Sequence, residues 1–126
     1  MVIKRKILIV DDDRLICWSL RETLSHEGYE VLTVETGEDA VKEAEKFSFD
    51  LLITDLKLPG MDGWGVVSRV KEMNPEIKVV VISAFGNDDA PQKAKSFGAS
   101  HFFNKPFEMT RIKETVNTIL SGEFRN

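Results

Sequence analysis

Five short apolar runs, rich in β-branched residues, recur along the chain at regular intervals: residues 6–10, 29–34, 51–54, 79–83 and 101–104. Between them lie segments in which apolar residues return with helical spacing. Strand alternating with helix five times specifies an α/β fold, a parallel sheet carrying helices on both faces. Residues 7–10 (ILIV) and 79–82 (VVVI) show no polar alternation, the pattern of strands covered on both sides.

The intervening segments carry their own start and stop signals. Residues 14–27 place Ile16, Leu20, Thr23 and Leu24 on one face and stop at Gly28. A second helix is predicted from the N-cap residue Thr36, with Asp39 three positions on and Ala40, Val41 and Ala44 grouped together. The third covers about residues 63–73, turns Val66, Val67, Val70 and Met73 inward, and ends at Asn74-Pro75. The fourth starts at Asp88 or Asp89 and closes at Gly98. Pro91 is tolerated in its first turn, where the N–H groups lack intrahelical partners. The fifth covers about residues 108–121, with Ile112, Val116, Ile119 and Leu120 inward and Gly122 as its stop.

A chain of 126 residues is the size of one domain, read here as residues 1–126 with a core of about 6–120. Its 17 Lys and Arg against 21 Asp and Glu leave a formal charge of −4. That balance argues against holding nucleic acid or an anionic membrane by bulk charge. No apolar run exceeds four residues, whereas a membrane helix needs about 20. The run after Lys4-Arg5-Lys6 is too short for a secretory signal core. Cys17 stands alone, which excludes an internal disulfide and a cysteine-based zinc site. A cytoplasmic protein is expected, with no nucleic-acid or membrane contact by this domain.

In open parallel sheets, ligands sit beyond the carboxyl ends of the strands. Strand one runs into Asp11, Asp12 and Asp13, strand three ends at Thr54-Asp55, strand four at Ser83-Ala84, and strand five at Asn104-Lys105-Pro106. Carboxylates packed at one edge repel unless a cation joins them. Magnesium suits a pair of carboxylates together with a phosphate oxygen. An ionised Asp beside it can attack phosphorus, a lysine can neutralise phosphate charge, and a hydroxyl can hydrogen-bond phosphoryl oxygens. Asp13 by itself reads as a helix N-cap rather than a ligand.

The stretches ILIVDDD (7–13), LLITDLKLPGMDG (51–63), VVVISAFG (79–86) and FFNKPF (102–107), in this order and spacing, resemble the receiver domain of two-component response regulators over about residues 6–120. The resemblance implies a flavodoxin-like, doubly wound, five-stranded parallel sheet of order 2-1-3-4-5 with five helices. It implies Asp55 as phosphoacceptor, Asp11 and Asp12 as the acidic pair for Mg2+, and the backbone carbonyl of Lys57 as a further metal ligand. Ser83 matches the switch hydroxyl, Lys105 the family lysine, and Phe102 the switch aromatic, although a strand aromatic is as often simply core. The implied partners are a sensor histidine kinase or phosphotransfer protein and an output domain or effector. A phosphorylation-dependent homodimer through the helix 4–strand 5–helix 5 face is a further implication. The domain would be no enzyme beyond catalysing its own phosphorylation and dephosphorylation. Lys57 and Phe85 are expected to flank the path of the hydrolytic water.

Residues 14–31 (RLICWSLRETLSHEGYEV) and the turn SAFG are most similar to receivers of enhancer-binding activators of the nitrogen-regulation type. The chain is therefore read as a stand-alone receiver or as a piece of such a regulator. The competing reading is a magnesium-dependent phosphohydrolase of haloacid-dehalogenase type. Asp11 and Asp13 have the required Asp-x-Asp spacing, but strand four lacks the late acidic pair. A flavin carrier would need a Ser/Thr-rich phosphate loop where the three aspartates stand. Cys17 reads as a small core or helix residue, Trp18 as a helix-surface or packing residue, and His26 and His101 as surface residues. Trp64 is expected near the surface at the start of helix three, and Gly60 and Gly63 where the chain turns sharply beside Asp55.

Overall fold

A computed structural model describes residues 4–84 and 90–122 of the chain. The strands β1 (Lys6–Val10), β2 (Glu30–Val34), β3 (Leu51–Asp55), β4 (Lys78–Ser83) and β5 (His101–Asn104) alternate with α1 (Arg14–His26), α2 (Gly37–Lys46), α3 (Gly63–Met73), α4 (Ala90–Ser96) and α5 (Met109–Gly122). All pairings are parallel, and the sheet order is β2-β1-β3-β4-β5.

Side chains on a strand alternate between its two faces, and this splits the core in two. Ile7, Ile9, Leu51, Ile53, Val80 and Ile82 pack with Leu20 and Leu24 of α1 and with Ile112, Val116 and Leu120 of α5. Leu8, Val10, Leu52, Val79 and Val81 face Ala40 of α2, Val66, Val67 and Val70 of α3, and Ala94 of α4. The central strands are therefore buried on both faces, while β2 and β5, at the sheet edges, are half-covered.

Local chemistry sets the helix ends. Asp13 caps α1, its Oδ1 accepting from the N–H groups of Leu15 at 2.9 Å and Ile16 at 3.3 Å. Thr36 caps α2 through the Asp39 N–H, and Asp62 caps α3 through the Gly65 N–H. At the end of α1, Gly28 has φ of +96°, so the N–H groups of Gly28 and Tyr29 can return to Ser25 and Leu24 carbonyls. Tyr29, expected as the first residue of strand two, is used in this turn instead, and the strand begins at Glu30.

Met73, expected inward, is 40% exposed. It closes α3 beside Asn74, at the rim of a small cleft shared with Phe47 and Phe49, so packing covers only part of it. Trp64 is half-buried: its ring lies 5.0 Å from that of Phe97, with Lys93 Nζ 4.9 Å above it. Trp18 is exposed, as are His26 and His101, and Cys17 is buried. The expected starts of α4 at Asp88 or Asp89 lie outside the described residues. Among the described residues, no helix is long and apolar enough to cross a membrane.

Two substitutions separate core from cap. Leu20→Ala removes a side chain with 0% exposure and should destabilise by about 2–5 kcal/mol. Asp13→Ala should cost only about 1 kcal/mol. Urea unfolding of both variants checks this, and equal losses would contradict it.

Candidate phosphoacceptor site

The register of the sheet brings the site together. Val10 pairs with Thr54, and Asp55 with Ile82, so the chain leaves β1 and β3 side by side and delivers Asp11 next to Asp55. Ser83 pairs with Asn104, and the Lys105 N–H donates to the Ser83 carbonyl at 2.8 Å, which sets the lysine beside the same edge. Asp11, Asp55 and Ser83 are all buried; Asp12 is exposed.

Lys105 Nζ lies 2.8 Å from Asp11 Oδ2 and 2.8 Å from Asp55 Oδ2. Toward Asp55 this is an aligned hydrogen bond. Toward Asp11 Oδ2 it is an ion pair without hydrogen-bond alignment. The other oxygens are held by backbone: Asp11 Oδ1 accepts from the Asp13 N–H at 2.9 Å, and Asp55 Oδ1 from the Lys57 N–H at 3.3 Å. Lys57 is exposed, and its backbone follows Asp55 closely enough to bond its carboxylate. Beyond it, the Gly63 N–H returns to the Leu56 carbonyl at 2.9 Å. A Cβ at Gly63 would lie 2.1 Å from the Asp55 carbonyl oxygen, so this approach demands glycine.

Burial disfavours the Asp11 carboxylate and raises its pKa above the ordinary value, although Lys105 and the Asp13 N–H oppose the shift. Burial likewise works against the Lys105 ammonium, but its close pairing with Asp11 and its hydrogen bond and ion pair with Asp55 prevail, and its pKa is raised. Cys17 donates to the Asp11 carbonyl at 3.2 Å. Burial first, and then the Asp11 charge, push its thiol up to about 11, which makes it a packing residue rather than a reactive one.

One carboxylate oxygen from each of Asp11, Asp12 and Asp55 lies within 4.8 Å of the others. A buried Asp11 oxygen with no aligned hydrogen bond has a lone pair to offer a hard cation, so this donor set fits magnesium. Phe102 is half-buried against the α3–α4 layer, beside Val81 of β4. Phe85 lies outside the described residues. Asp13 is taken up by capping α1, as its position implied, and β4 ends without the acidic pair a dehalogenase-type hydrolase needs.

Sequence reasoning passes over Leu15, which is 70% exposed in the first turn of α1. With Ile16, Pro106, Phe107 and Met109 it lines an open, mainly apolar groove of about 390 Å³ that reaches Lys105. The one signal for it in the sequence is a leucine outside the inward stripe of its helix.

The family model described as "Response regulator receiver domain" matches residues 7–117. Sporulation initiation phosphotransferase F of Bacillus subtilis is 36% identical over 94% of this chain and 96% of its own length. The DNA-binding transcriptional regulator NtrC of Escherichia coli is 30% identical over 91% of this chain, which spans only 24% of that protein. Among solved structures, a CheY-like receiver domain protein from Methanospirillum hungatei superposes with a TM-score of 0.90 at 26% identity, covering 98% of this chain and 100% of the other. The beryllofluoride-activated NtrC4 receiver domain dimer superposes at 0.87 with 32% identity, covering 93% and 97% respectively.

The geometry makes Lys105 the counter-charge of a fully buried carboxylate. In metal-free buffer, Lys105→Met should destabilise the fold by about 3–5 kcal/mol, the cost of leaving a buried charge unpaired. Adding Asp11→Asn should recover much of the loss. Urea unfolding of the single and double variants decides this; a neutral Lys105→Met would refute the pairing.

Proposed function

Because this chain belongs to the response regulator receiver domain family, a phosphoacceptor switch of two-component signalling, we propose that Asp55 is the residue that takes the phosphoryl group and that Asp11, Asp12, Asp55 and the Lys57 carbonyl hold Mg2+. The observation that carries this is the single ammonium of Lys105, 2.8 Å from carboxylates at the ends of two different strands. A buried Asp, an acidic partner and a cation are thereby gathered at one point.

The donor is a phosphohistidine on a sensor kinase or phosphotransfer protein. An Asp55 carboxylate oxygen attacks phosphorus, the P–N bond breaks, and the imidazole leaves. Magnesium, when bound, offsets negative charge on the phosphoryl oxygens. Lys105, already beside Asp55, needs only a small shift to pair with a phosphoryl oxygen. The groove beside Leu15 and Phe107 opens next to this point and supplies apolar area on which the donor seats. The domain catalyses only its own phosphorylation and dephosphorylation.

Phosphorylation adds roughly −1.5 to −2 charge beside Ser83, whose hydroxyl then donates to the phosphoryl group. Ser83 and Phe102 lie on paired strands, two residues from each other's register partners. A shift at Ser83 therefore repacks Phe102 and the face formed by α4, β5 and α5. That face binds an output domain or effector, or a second copy of the chain; the dimeric activated NtrC4 receiver supports the latter. We place this receiver domain in the cytoplasm, without nucleic-acid or membrane contact of its own.

With magnesium and a small acyl phosphate, wild-type protein should gain one phosphoryl group by intact mass, and Asp55→Asn none. Omitting magnesium or substituting Asp12→Ala should suppress the adduct. Full phosphorylation of Asp55→Asn would overturn the assignment.

A further inference from the structure

The loop from β3 to α3, residues 56–62, carries Lys57 past the phosphoacceptor. Two of its hydrogen bonds are local: the Lys57 N–H to Asp55 and the Gly63 N–H to Leu56. A third reaches another element. The Met61 N–H donates to Glu38 Oε2 at 3.1 Å, from the loop to the first turn of α2. Glu38 is exposed, and the end of its side chain lies close against the loop backbone. Gly60 has φ of +74°, and a Cβ there would lie 2.5 Å from Glu38 Oε2. A Cβ at Gly37 would lie 2.7 Å from the Met61 carbonyl oxygen, so the start of α2 also packs directly on the loop.

The geometry points to Glu38 as a positioning residue for magnesium: its carboxylate tethers the β3–α3 loop so that the Lys57 carbonyl is presented to the metal. Glu38 touches neither phosphorus nor ion; it acts through Met61 and the loop backbone that joins Met61 to Lys57. This rests on the reading that Asp11, Asp12, Asp55 and Lys57 form the metal site. The tether has two physical rivals. Leu56, Leu58 and Met61 pack against the core and would hold the loop alone if apolar contact sufficed. Glu38 would also act merely as an acidic residue at a helix start, beside Glu35 and Asp39.

Calorimetric titration with magnesium chloride separates tether, packing and charge, using wild type, Glu38→Ala, Glu38→Gln and Asp12→Ala, with amide exchange of Met61 followed in metal-free buffer. Loss of a hydrogen bond worth about 1 kcal/mol should weaken magnesium binding about five-fold in Glu38→Ala. Met61 exchange should speed up by a similar factor, and global urea stability should fall by no more than that same amount. Glu38→Gln keeps an acceptor oxygen in place and should bind like wild type. Wild-type affinity in Glu38→Ala would overturn the tether in favour of apolar packing. Equal weakening in Glu38→Ala and Glu38→Gln would overturn it in favour of long-range charge. Undiminished binding in Asp12→Ala would instead strike down the metal-site reading, and the tether with it.

Discussion

A carboxylate with no solvent exposure is unstable in a protein interior unless a charge of opposite sign stands against it. Asp11 is such a group, and Lys105 is the charge. The two residues are far apart in sequence and belong to the first and last strand-ends of the fold. Their contact requires β1, β3, β4 and β5 to lie in one sheet at the observed register. The same ammonium also hydrogen-bonds Asp55. One cation thus pairs with two acids and ties the first, third and fifth strand-ends together.

That arrangement suits a switch because the pairing is poised rather than saturated. Asp11 Oδ2 has an ionic neighbour but no aligned hydrogen bond, and Asp12 stands exposed beside it. On the proposed function, an added dication takes its ligands there, and an added phosphoryl group gives Lys105 a further anion to pair with. Charge can enter the site in two forms while the apolar halves of the sheet stay as they are, since Ile7, Ile9, Leu51 and Ile53 on one face and Leu8, Val10 and Leu52 on the other are fully covered.

Much of this is legible without any coordinates. The run ILIV followed by three aspartates announces a buried strand ending in charge, and Thr36 with Asp39 announces a helix start that the structure reproduces to the hydrogen bond. Met73 and Tyr29 depart from expectation for local reasons. A methionine at a helix end continues the apolar spacing without a wall to pack on, and an aromatic before a strand can serve the preceding helix cap instead. Leu15 and Glu38 escape notice in the sequence because neither breaks a local rule. A leucine in a helix and a glutamate in a first turn are ordinary until their neighbours from other elements are known.

The amino-acid sequence by itself determined the alternation of strand and helix, the two-sided burial of the central strands, the helix caps at Asp13 and Thr36, and the identity of the acids, hydroxyl and lysine at the strand ends. These follow from properties of residues within a few positions of one another: side-chain period, cap chemistry, backbone freedom. Only the tertiary structure decided that Asp11 turns inward to an ammonium, that Lys105 stands midway between Asp11 and Asp55, and that Glu38 reaches the loop behind Asp55. Each of those depends on distances between segments tens of residues apart, and such distances are set by sheet register and helix packing, which no local pattern encodes.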